Sequence, residues 1–324
     1  MIGEITEFYG VVREFKKAEY LQTDKFQSTY KDVKTLIKLG NLIVLSGIVG
    51  VGKTSVYEEI LRLLRDEKDI LVAESLTLER SKVNMATLTN ALFADLANEK
   101  IGKIPSQSEL RERKLRDLIC KKKKNVALFI DDAHGLNNKT LIGLKNLLEV
   151  IQRGGGNFSV ILIGHPKLQN NLSLPSMEEI GGRAVFISLD VMDGRQREYM
   201  NWILESCFDR EPSMDPLFSD EALDFLASKL STPLQINQHL WKALTQGYKT
   251  GQRQIGKDLI EEILSPDLDG LATKLIRHGY NTKILAETIH TRPSEIKSFL
   301  QGKLPSGRMS EIADELRRYG VPLG

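Results

Sequence analysis

Eight consecutive residues, 47–54, constrain this chain more than any other part of its sequence. They follow the apolar run 42–45 and read Gly47-Ile48-Val49-Gly50-Val51-Gly52-Lys53-Thr54. Glycines at these positions let successive backbone N–H groups converge on phosphate oxygens, which a Cβ would obstruct, and the following helix adds its positive amino-terminal end. The lysine would reach the β and γ phosphates, and the threonine hydroxyl would bind Mg²⁺. The residues predicted to hold the nucleotide are Gly47, Gly50, Val51, Gly52, Lys53, Thr54 and Ser55.

Four further short apolar runs follow the first and are separated by segments of helical periodicity. The runs are residues 70–73, 126–130, 160–163 and 185–189, and the helical segments include residues 85–98 and 140–152. Strands that alternate with helices form parallel sheets whose faces are both covered. The sequence therefore predicts an α/β fold with a parallel sheet, preceded by a helix that Gly40 ends.

Two carboxylates, Asp131 and Asp132, follow the apolar run 126–130. Ligands of open α/β sheets collect at the carboxyl ends of the strands, so we expect both acids beside the glycine-rich loop. We predict that Asp131 holds Mg²⁺ together with Thr54, and that Asp132 orients and polarises the attacking water. The alternative is that the two acids only cap the next helix.

Composition limits the classes of partner and compartment. The chain has 45 Lys and Arg against 43 Asp and Glu, so its net charge of +2 requires neither nucleic acid nor an anionic membrane. Cys120 and Cys207 lie far apart in sequence, which argues for a reducing compartment and against a disulfide framework or a zinc site. No apolar run approaches the roughly 20 residues that span a bilayer, and the first residues lack a secretory signal pattern. We expect a cytoplasmic protein without a membrane segment.

The sequence patterns divide the chain into four parts. Residues 1–29 are predicted to be a lead-in, residues 30–190 a nucleotide-binding core, residues 191–265 a helical lid and residues 266–324 a small helical domain. After Leu189 the apolar runs stop and only helical periodicity remains. Ser265-Pro266-Asp267 then breaks the chain before the last block.

With this order of elements, the chain resembles the AAA+ ATPases, and within them the ExeA-like group together with the transposition regulators TnsC, MuB, TniB and IstB. The resemblance covers residues 30–264. It rests on residues 47–54, 130–134, 161–168 and 218–223. It implies an AAA+ P-loop sheet with a helical lid, and an ATPase that uses ATP and Mg²⁺.

The resemblance also assigns roles outside the loop. His165 stands where such proteins place a polar sensor of the γ-phosphate, and a structural histidine is the alternative. Arg183 resembles the arginine finger that reaches a neighbouring subunit's nucleotide, which implies a ring or filament of identical subunits; an ordinary surface arginine is the alternative. The implied catalytic residues are Lys53, Asp131, Asp132, His165 and Arg183.

Two departures from the family pattern predict slow hydrolysis. The second acid of the pair is usually glutamate, and Asp132 is one methylene shorter. Leu234 stands where the second sensor arginine is expected. We therefore expect ATP to act mainly as an assembly switch.

The pattern of residues 282–300 predicts two short helices joined by a tight turn. Small Ala286 permits their close crossing and Pro293 opens the second one. With a further helix from Ser310 to Tyr319, the segment is similar to a repressor-type helix-turn-helix, although His290 occupies the turn position usually held by glycine. Residues 268–324 hold nine Lys or Arg against six acids, which favours a phosphate backbone as partner. A small bundle that binds another protein is the alternative.

Two sets of residues are candidates for DNA contact. The first lies on or beside the second of these short helices and comprises Arg292, Ser294, Lys297, Ser298 and Lys303. The second is Arg80 with Lys82, about where related filament-forming ATPases line their central channel.

Together these features predict an ATP-dependent regulator that oligomerises on duplex DNA and recruits or activates a transposase or related recombination protein. Two alternatives stay open. One is an ExeA-like ATPase for protein-complex assembly, with the C-terminal block as a protein adaptor. The other is a transcription or defence switch whose helix-turn-helix reads one operator.

Overall fold

The computed structural model of the protein describes residues 2–75, 83–96, 104–189, 192, 194–209, 216–264 and 270–323. Its contacts define two compact units. A helical unit comprises Met1–Thr23, Gly50–Gly52 and Asp190–Lys274, and a sheet unit comprises Asp24–Val49, Lys53–Leu189 and Leu275–Gly324. This grouping differs from the four-part division that the sequence predicts, because residues 1–23 of the lead-in group with the predicted lid and the helices from Leu275 onward group with the sheet.

The sheet unit is built on a parallel sheet with the strand order β2-β3-β4-β1-β5. The strands are β1 (Leu42–Ser46), β2 (Ile70–Glu74), β3 (Asn125–Ile130), β4 (Asn157–Gly164) and β5 (Ala184–Ser188). All five residues of β1 are buried, which is the expected burial of a strand covered on both faces. The predicted α/β fold with a parallel sheet is confirmed. β1 pairs with β4 and β5, so the loop after β1 leaves the sheet beside the ends of both neighbours.

Helices connect these strands and enclose the core. They are α2 (Asp24–Leu39), α3 (Lys53–Arg65), α4 (Met85–Leu96), α5 (Ser108–Lys122), α6 (Asn138–Arg153), α7 (Pro166–Leu172) and α8 (Glu178–Gly181). Gly40 follows α2 with a φ of +73°, a conformation that glycine adopts without steric cost, and so ends the helix as predicted. The side chain of Asn137 accepts a hydrogen bond from Thr140 N at 2.8 Å and so caps α6.

The sheet unit also contains the C-terminal helices, of which α13 begins in the other unit. They are α13 (Leu271–Arg277), α14 (Thr282–Thr288), α15 (Pro293–Leu300) and α16 (Ser306–Arg318). The predicted pair of short helices is present as α14 and α15, while the last helix begins four residues before the predicted Ser310. His290 lies between α14 and α15 with a φ of +53°. Its left-handed backbone explains why glycine suits this turn better.

The helical unit has an apolar core of its own, which includes Ile5, Met200, Ile203, Leu240 and Ile260. Its helices are α1 (Ile2–Tyr9), α9 (Gln196–Cys207), α10 (Asp220–Lys229), α11 (Pro233–Lys249) and α12 (Lys257–Ile263). Helix α1 packs against α11. Ile5 and Tyr9 of the predicted lead-in therefore lie in this core, and Phe8 and Phe15 pack against it. In the part of the chain that the structure describes, no helix is long and apolar enough to cross a membrane.

Candidate nucleotide site

The loop between β1 and α3 contains three successive backbone amides, those of residues 50–52, that are candidates for phosphate binding. Gly50 and Gly52 have φ angles of +85° and +93°, which a residue with a Cβ rarely adopts. Among the described residues, the amides of Gly50, Val51 and Gly52 donate to no protein acceptor. N–H groups that converge before a helix amino terminus bind anions. The loop therefore fits a phosphate chain, as the sequence predicts.

Lys53 is the first residue of α3 and is buried. Its Nζ donates to the carbonyl oxygens of Gly47 and Ile48, both at 2.9 Å, so the side chain folds over the loop. Burial lowers the pKa of Lys53, and the charges of Asp131 and Asp132 oppose that shift. The ammonium group is thus held beside the loop, partly stripped of water and attracted by both carboxylates.

The two carboxylates follow β3, which is separated from β1 by β4 in the sheet. Asp131 Oδ1 accepts a hydrogen bond from Asp132 N at 2.8 Å, which fixes the carboxylate's orientation. Asp132 is exposed and has a φ of +52°, a conformation that aspartate tolerates better than most residues. Its side chain makes no capping hydrogen bond to the 3₁₀ turn that follows, Ala133–Gly135. Helix capping therefore does not explain Asp132.

Two histidine rings complete this group. His165 follows β4, and its Nδ1 lies 3.3 Å from Lys53 Nζ. An ammonium group can only donate, so His165 Nδ1 accepts and the ring proton resides on Nε2. The ring centroid of His134 lies 4.0 Å from that of His165, with the planes inclined by 46°. His165 and Lys53 are thus in direct polar contact at the carboxyl end of β4.

Burial depresses the pKa values of both histidines. For His165, burial together with the charges of His134 and Lys53 lowers the pKa to about 4. For His134, burial is again the largest cause of a lowered pKa. Both rings are therefore neutral at neutral pH.

This arrangement predicts that the free protein loses stability in weak acid. The two histidine pKa values are lower in the folded than in the unfolded chain, so the stability that both contribute is complete above about pH 6.5 and falls in acid. For His165 the loss continues until the pH reaches about 4. After discounting for the exposed part of the ring, we expect His165 to account for about 1–2 kcal/mol between pH 7 and pH 5. This loss of stability is measured by thermal unfolding of the nucleotide-free protein at pH 7 and at pH 5.

The matched variants are His165→Gln, whose amide oxygen still accepts from Lys53, and His290→Gln at an exposed histidine. The first should flatten the pH dependence of the melting temperature and the second should leave it unchanged. Equal slopes in the wild type and His165→Gln would contradict the assignment.

His134 is the residue of this site that the sequence does not single out. It lies three residues after Asp131, within one of the segments that carries the family resemblance. The available signal was its position at the end of a strand that delivers carboxylates. Its contact with His165 depends on the adjacency of β3 and β4, which sequence periodicity does not specify.

Other predicted site residues lie as follows. Thr54 and Ser55 are exposed in the first turn of α3. Arg183 precedes β5 at the amino-terminal edge of the sheet, opposite the edge that carries the loop of the same chain. The structure therefore does not bring Arg183 to the site of its own subunit. Arg80 and Lys82 lie outside the described residues.

No group of three or more His, Cys, Asp or Glu among the described residues could hold a metal ion. The site residues Thr54 and Asp131 still suit Mg²⁺, because this ion usually keeps several waters and takes only one or two protein oxygens beside substrate phosphates. The chain would therefore bind the metal together with the nucleotide rather than alone.

Leu234 lies at the start of α11, within the helical unit. Its backbone N donates to Gly50 O at 3.2 Å, and a Cβ on Gly50 would lie 2.8 Å from the Cβ of Leu234. Glycine is thus required at position 50 for two reasons: its φ angle is positive, and a Cβ there would collide with Leu234. The Leu234 side chain is 44% exposed and brings no positive charge to this position.

Comparison with known proteins agrees with this geometry. Residues 37–172 match the family model described as AAA domain. No curated protein matches the sequence. The structure is similar to Cdc6p from Pyrobaculum aerophilum, with a TM-score of 0.55, 16% identity, and coverage of 96% of this chain and 91% of that chain.

Two further structures show the same likeness. The Aeropyrum pernix ORC2 protein, in ADPNP–ADP complexes, has a TM-score of 0.60 and 12% identity over 97% of this chain and 87% of that chain. Drosophila ORC bound to DNA has a TM-score of 0.51 and 14% identity over 97% of this chain and 83% of that chain. These likenesses identify the fold as the AAA+ P-loop α/β fold.

Proposed function

We propose that this protein is an ATPase that binds ATP with Mg²⁺, assembles on duplex DNA and regulates a transposase or related recombination protein. The observation that carries the nucleotide part is the group formed within the sheet unit by Lys53, Asp131, Asp132 and His165. The AAA domain match over residues 37–172 supports the same activity.

Each residue of the site has a separate role in the proposed hydrolysis of ATP. The loop amides and Lys53 would bind the phosphates, and Thr54 and Asp131 would hold the metal. When bound, Mg²⁺ supplies positive charge that offsets the charge developing on the phosphate oxygens. Asp132 orients a water and accepts its proton, and His165 contacts the terminal phosphate from the neutral Nε2–H side. The short, exposed Asp132 and the apolar Leu234 support a low turnover.

Assembly of identical subunits rests on Arg183. Its side chain is 58% exposed and forms an ion pair with Glu149. Glu149 also pairs with the buried Lys145 at 2.9 Å, so the carboxylate is fixed on α6 and holds the arginine at the surface. An exposed arginine on a fixed partner, away from its own site, supports a contact with a neighbouring subunit's nucleotide.

DNA binding rests on the exposed side of the C-terminal helices. Arg292, Ser294, Lys297 and Lys303 are exposed, while Ser298 is partly buried and donates to Ser294 O at 3.1 Å. Within the described part of the chain, Arg292, Lys297 and Lys303 form no ion pair. Arg308, by contrast, bonds to Glu295 and Glu311 at 2.7 and 2.9 Å and stabilises the block. Three unpaired cations on one short helix and its ends suit a phosphate backbone.

Lys297→Ala should therefore weaken binding to random-sequence duplex DNA and lower the slope of log K against log salt by about one. Fluorescence anisotropy at several salt concentrations measures both quantities. Lys283→Ala is the matched control, because Lys283 is also exposed but lies 3.9 Å from Glu287 on α14. Equal slopes for wild type and Lys297→Ala would exclude this helix as the contact.

The function as a whole is tested by mixing the protein with random-sequence duplex DNA in the absence of nucleotide, with ADP, and with a non-hydrolysable ATP analogue. Salt-sensitive assembly on DNA that requires the ATP analogue is the expected result, seen by electron microscopy and light scattering. Assembly without DNA affinity would instead support a protein-assembly ATPase. Binding to one sequence only would support a transcription or defence switch.

A further inference from the structure

The turn at the end of α13, residues 277–280, contacts Val49 and His165, which belong to the same sheet unit. The carbonyl oxygen of Arg277 accepts a hydrogen bond from Val49 N of the loop at 2.7 Å. Gly279 contacts the sensor histidine so closely that an added Cβ would lie 2.9 Å from His165 Cβ. Gly279 also has a φ of +92°, so both its conformation and its surroundings require glycine. The turn thus contacts both the loop and the histidine.

Helix α7 anchors the C-terminal helices beside this turn. Asn170 Nδ2 donates to Tyr280 Oη and to the carbonyl oxygen of Gly320, both at 2.7 Å. Tyr280 is buried and directly follows Gly279, while Gly320 lies just beyond the end of α16. Because α7 begins immediately after His165, one short helix connects the histidine to both ends of the block.

The Arg277 carbonyl accepts a hydrogen bond from Val49 N, the amide that immediately precedes those of residues 50–52. The amides of Gly50, Val51 and Gly52 donate to no acceptor among the described residues, whereas that of Val49 is used by Arg277. A carbonyl oxygen carries a partial negative charge and a phosphate oxygen carries a larger one. The Arg277 carbonyl and a bound phosphate therefore compete for the N–H dipoles of the same loop. Lys53 contacts His165, so recruiting this lysine to phosphate also changes the environment of the ring on which Gly279 rests.

We propose that the turn 277–280 is an internal ligand of the phosphate loop and that a bound nucleoside triphosphate displaces it. The nucleotide state of the loop then sets how firmly the C-terminal helices are held. This inference rests on the proposed nucleotide binding and goes beyond it by naming the residues that connect the site to the turn 277–280 and to Gly320 at the end of α16. By linkage, anything that holds the turn away from the loop raises the affinity for triphosphate.

The test is the pair Gly279→Ala and Gly302→Ala in the full chain. Both glycines have positive φ angles, +92° and +66°, and both lie in the C-terminal block. A Cβ at Gly302 meets nothing within 4 Å, so this variant controls for backbone strain alone. The measured quantity is the ratio of dissociation constants for fluorescent ADP and a fluorescent non-hydrolysable ATP analogue.

Gly279→Ala should raise the preference for the triphosphate about 10-fold, and Gly302→Ala should leave it within about 2-fold. Tyr280→Phe, which adds no atoms and removes only the hydroxyl that Asn170 binds, should raise the preference in the same direction. An unchanged or lowered preference in both Gly279→Ala and Tyr280→Phe overturns the proposal.

Hydrogen exchange of the wild type gives a second readout. Backbone amides of residues 277–289 should exchange faster with the ATP analogue than with ADP or without nucleotide. If the analogue binds and exchange is the same in all three states, the displacement is overturned while nucleotide binding stands. If the wild type binds neither nucleotide, the proposed function fails and the displacement fails with it.

Discussion

Replacing Lys53 with alanine is expected to abolish the effect of nucleotide on this protein while leaving the protein folded. The ammonium group is the cation placed beside the loop, and loss of charged hydrogen bonds to phosphate costs about 3 kcal/mol, which is roughly 100-fold in affinity. In the free protein the same change removes a buried cation whose pKa is lowered by burial, so the cost to stability is small.

Thermal unfolding separates these two effects. A saturating ATP analogue should raise the melting temperature of the wild type, because a ligand that binds only the folded state stabilises it, and should not raise that of Lys53→Ala. Lys139→Ala is the matched control at an exposed lysine of α6. A full nucleotide-dependent shift in Lys53→Ala would show that the site lies elsewhere.

Replacing Asp132 with asparagine should separate hydrolysis from binding. The amide cannot accept a proton from water, and loss of a general base lowers turnover by about 100-fold or more. Asparagine tolerates the left-handed backbone as well as aspartate does, so the φ of +52° is retained. Phosphate release should fall while the affinity for the ATP analogue stays at least as high as in the wild type.

Asp132→Glu tests the origin of the slow hydrolysis that the sequence predicts. If the reach of the carboxylate limits the rate, the extra methylene should raise turnover about 10-fold, at a cost in stability because glutamate tolerates the left-handed conformation less well. Turnover in Asp132→Asn equal to that of the wild type would exclude Asp132 as the base.

The amino-acid sequence predicted those features that depend on residues close together along the chain. The loop 47–54 carries its own glycines, lysine and hydroxyl in sequence, and the strands and most helices have the predicted extents within a few residues. Local pattern also located Asp131 and Asp132 at the end of a buried strand, and placed His290 at a turn whose backbone has a positive φ.

The contacts of the structure group these elements differently from the predicted division, because grouping by contact depends on which surfaces meet. Residues 1–23 pack with the helices after residue 190, and the C-terminal helices from Leu275 pack with the sheet. Neither arrangement is encoded by a composition shift or a chain break. Ser265-Pro266-Asp267 interrupts the helical pattern but does not specify where the helices after it will lie.

The sequence by itself determined the glycine, lysine and hydroxyl pattern of residues 47–54 and the parallel α/β fold, since both follow from short-range spacing and alternation. The tertiary structure decided which side chains meet there. His134 contacts His165 because β3 and β4 are neighbours, Lys53 reaches His165 because β4 pairs with β1, and Gly279 packs on His165 because the last helices return to the sheet. These contacts join residues more than 30 positions apart, and no local periodicity carries that information.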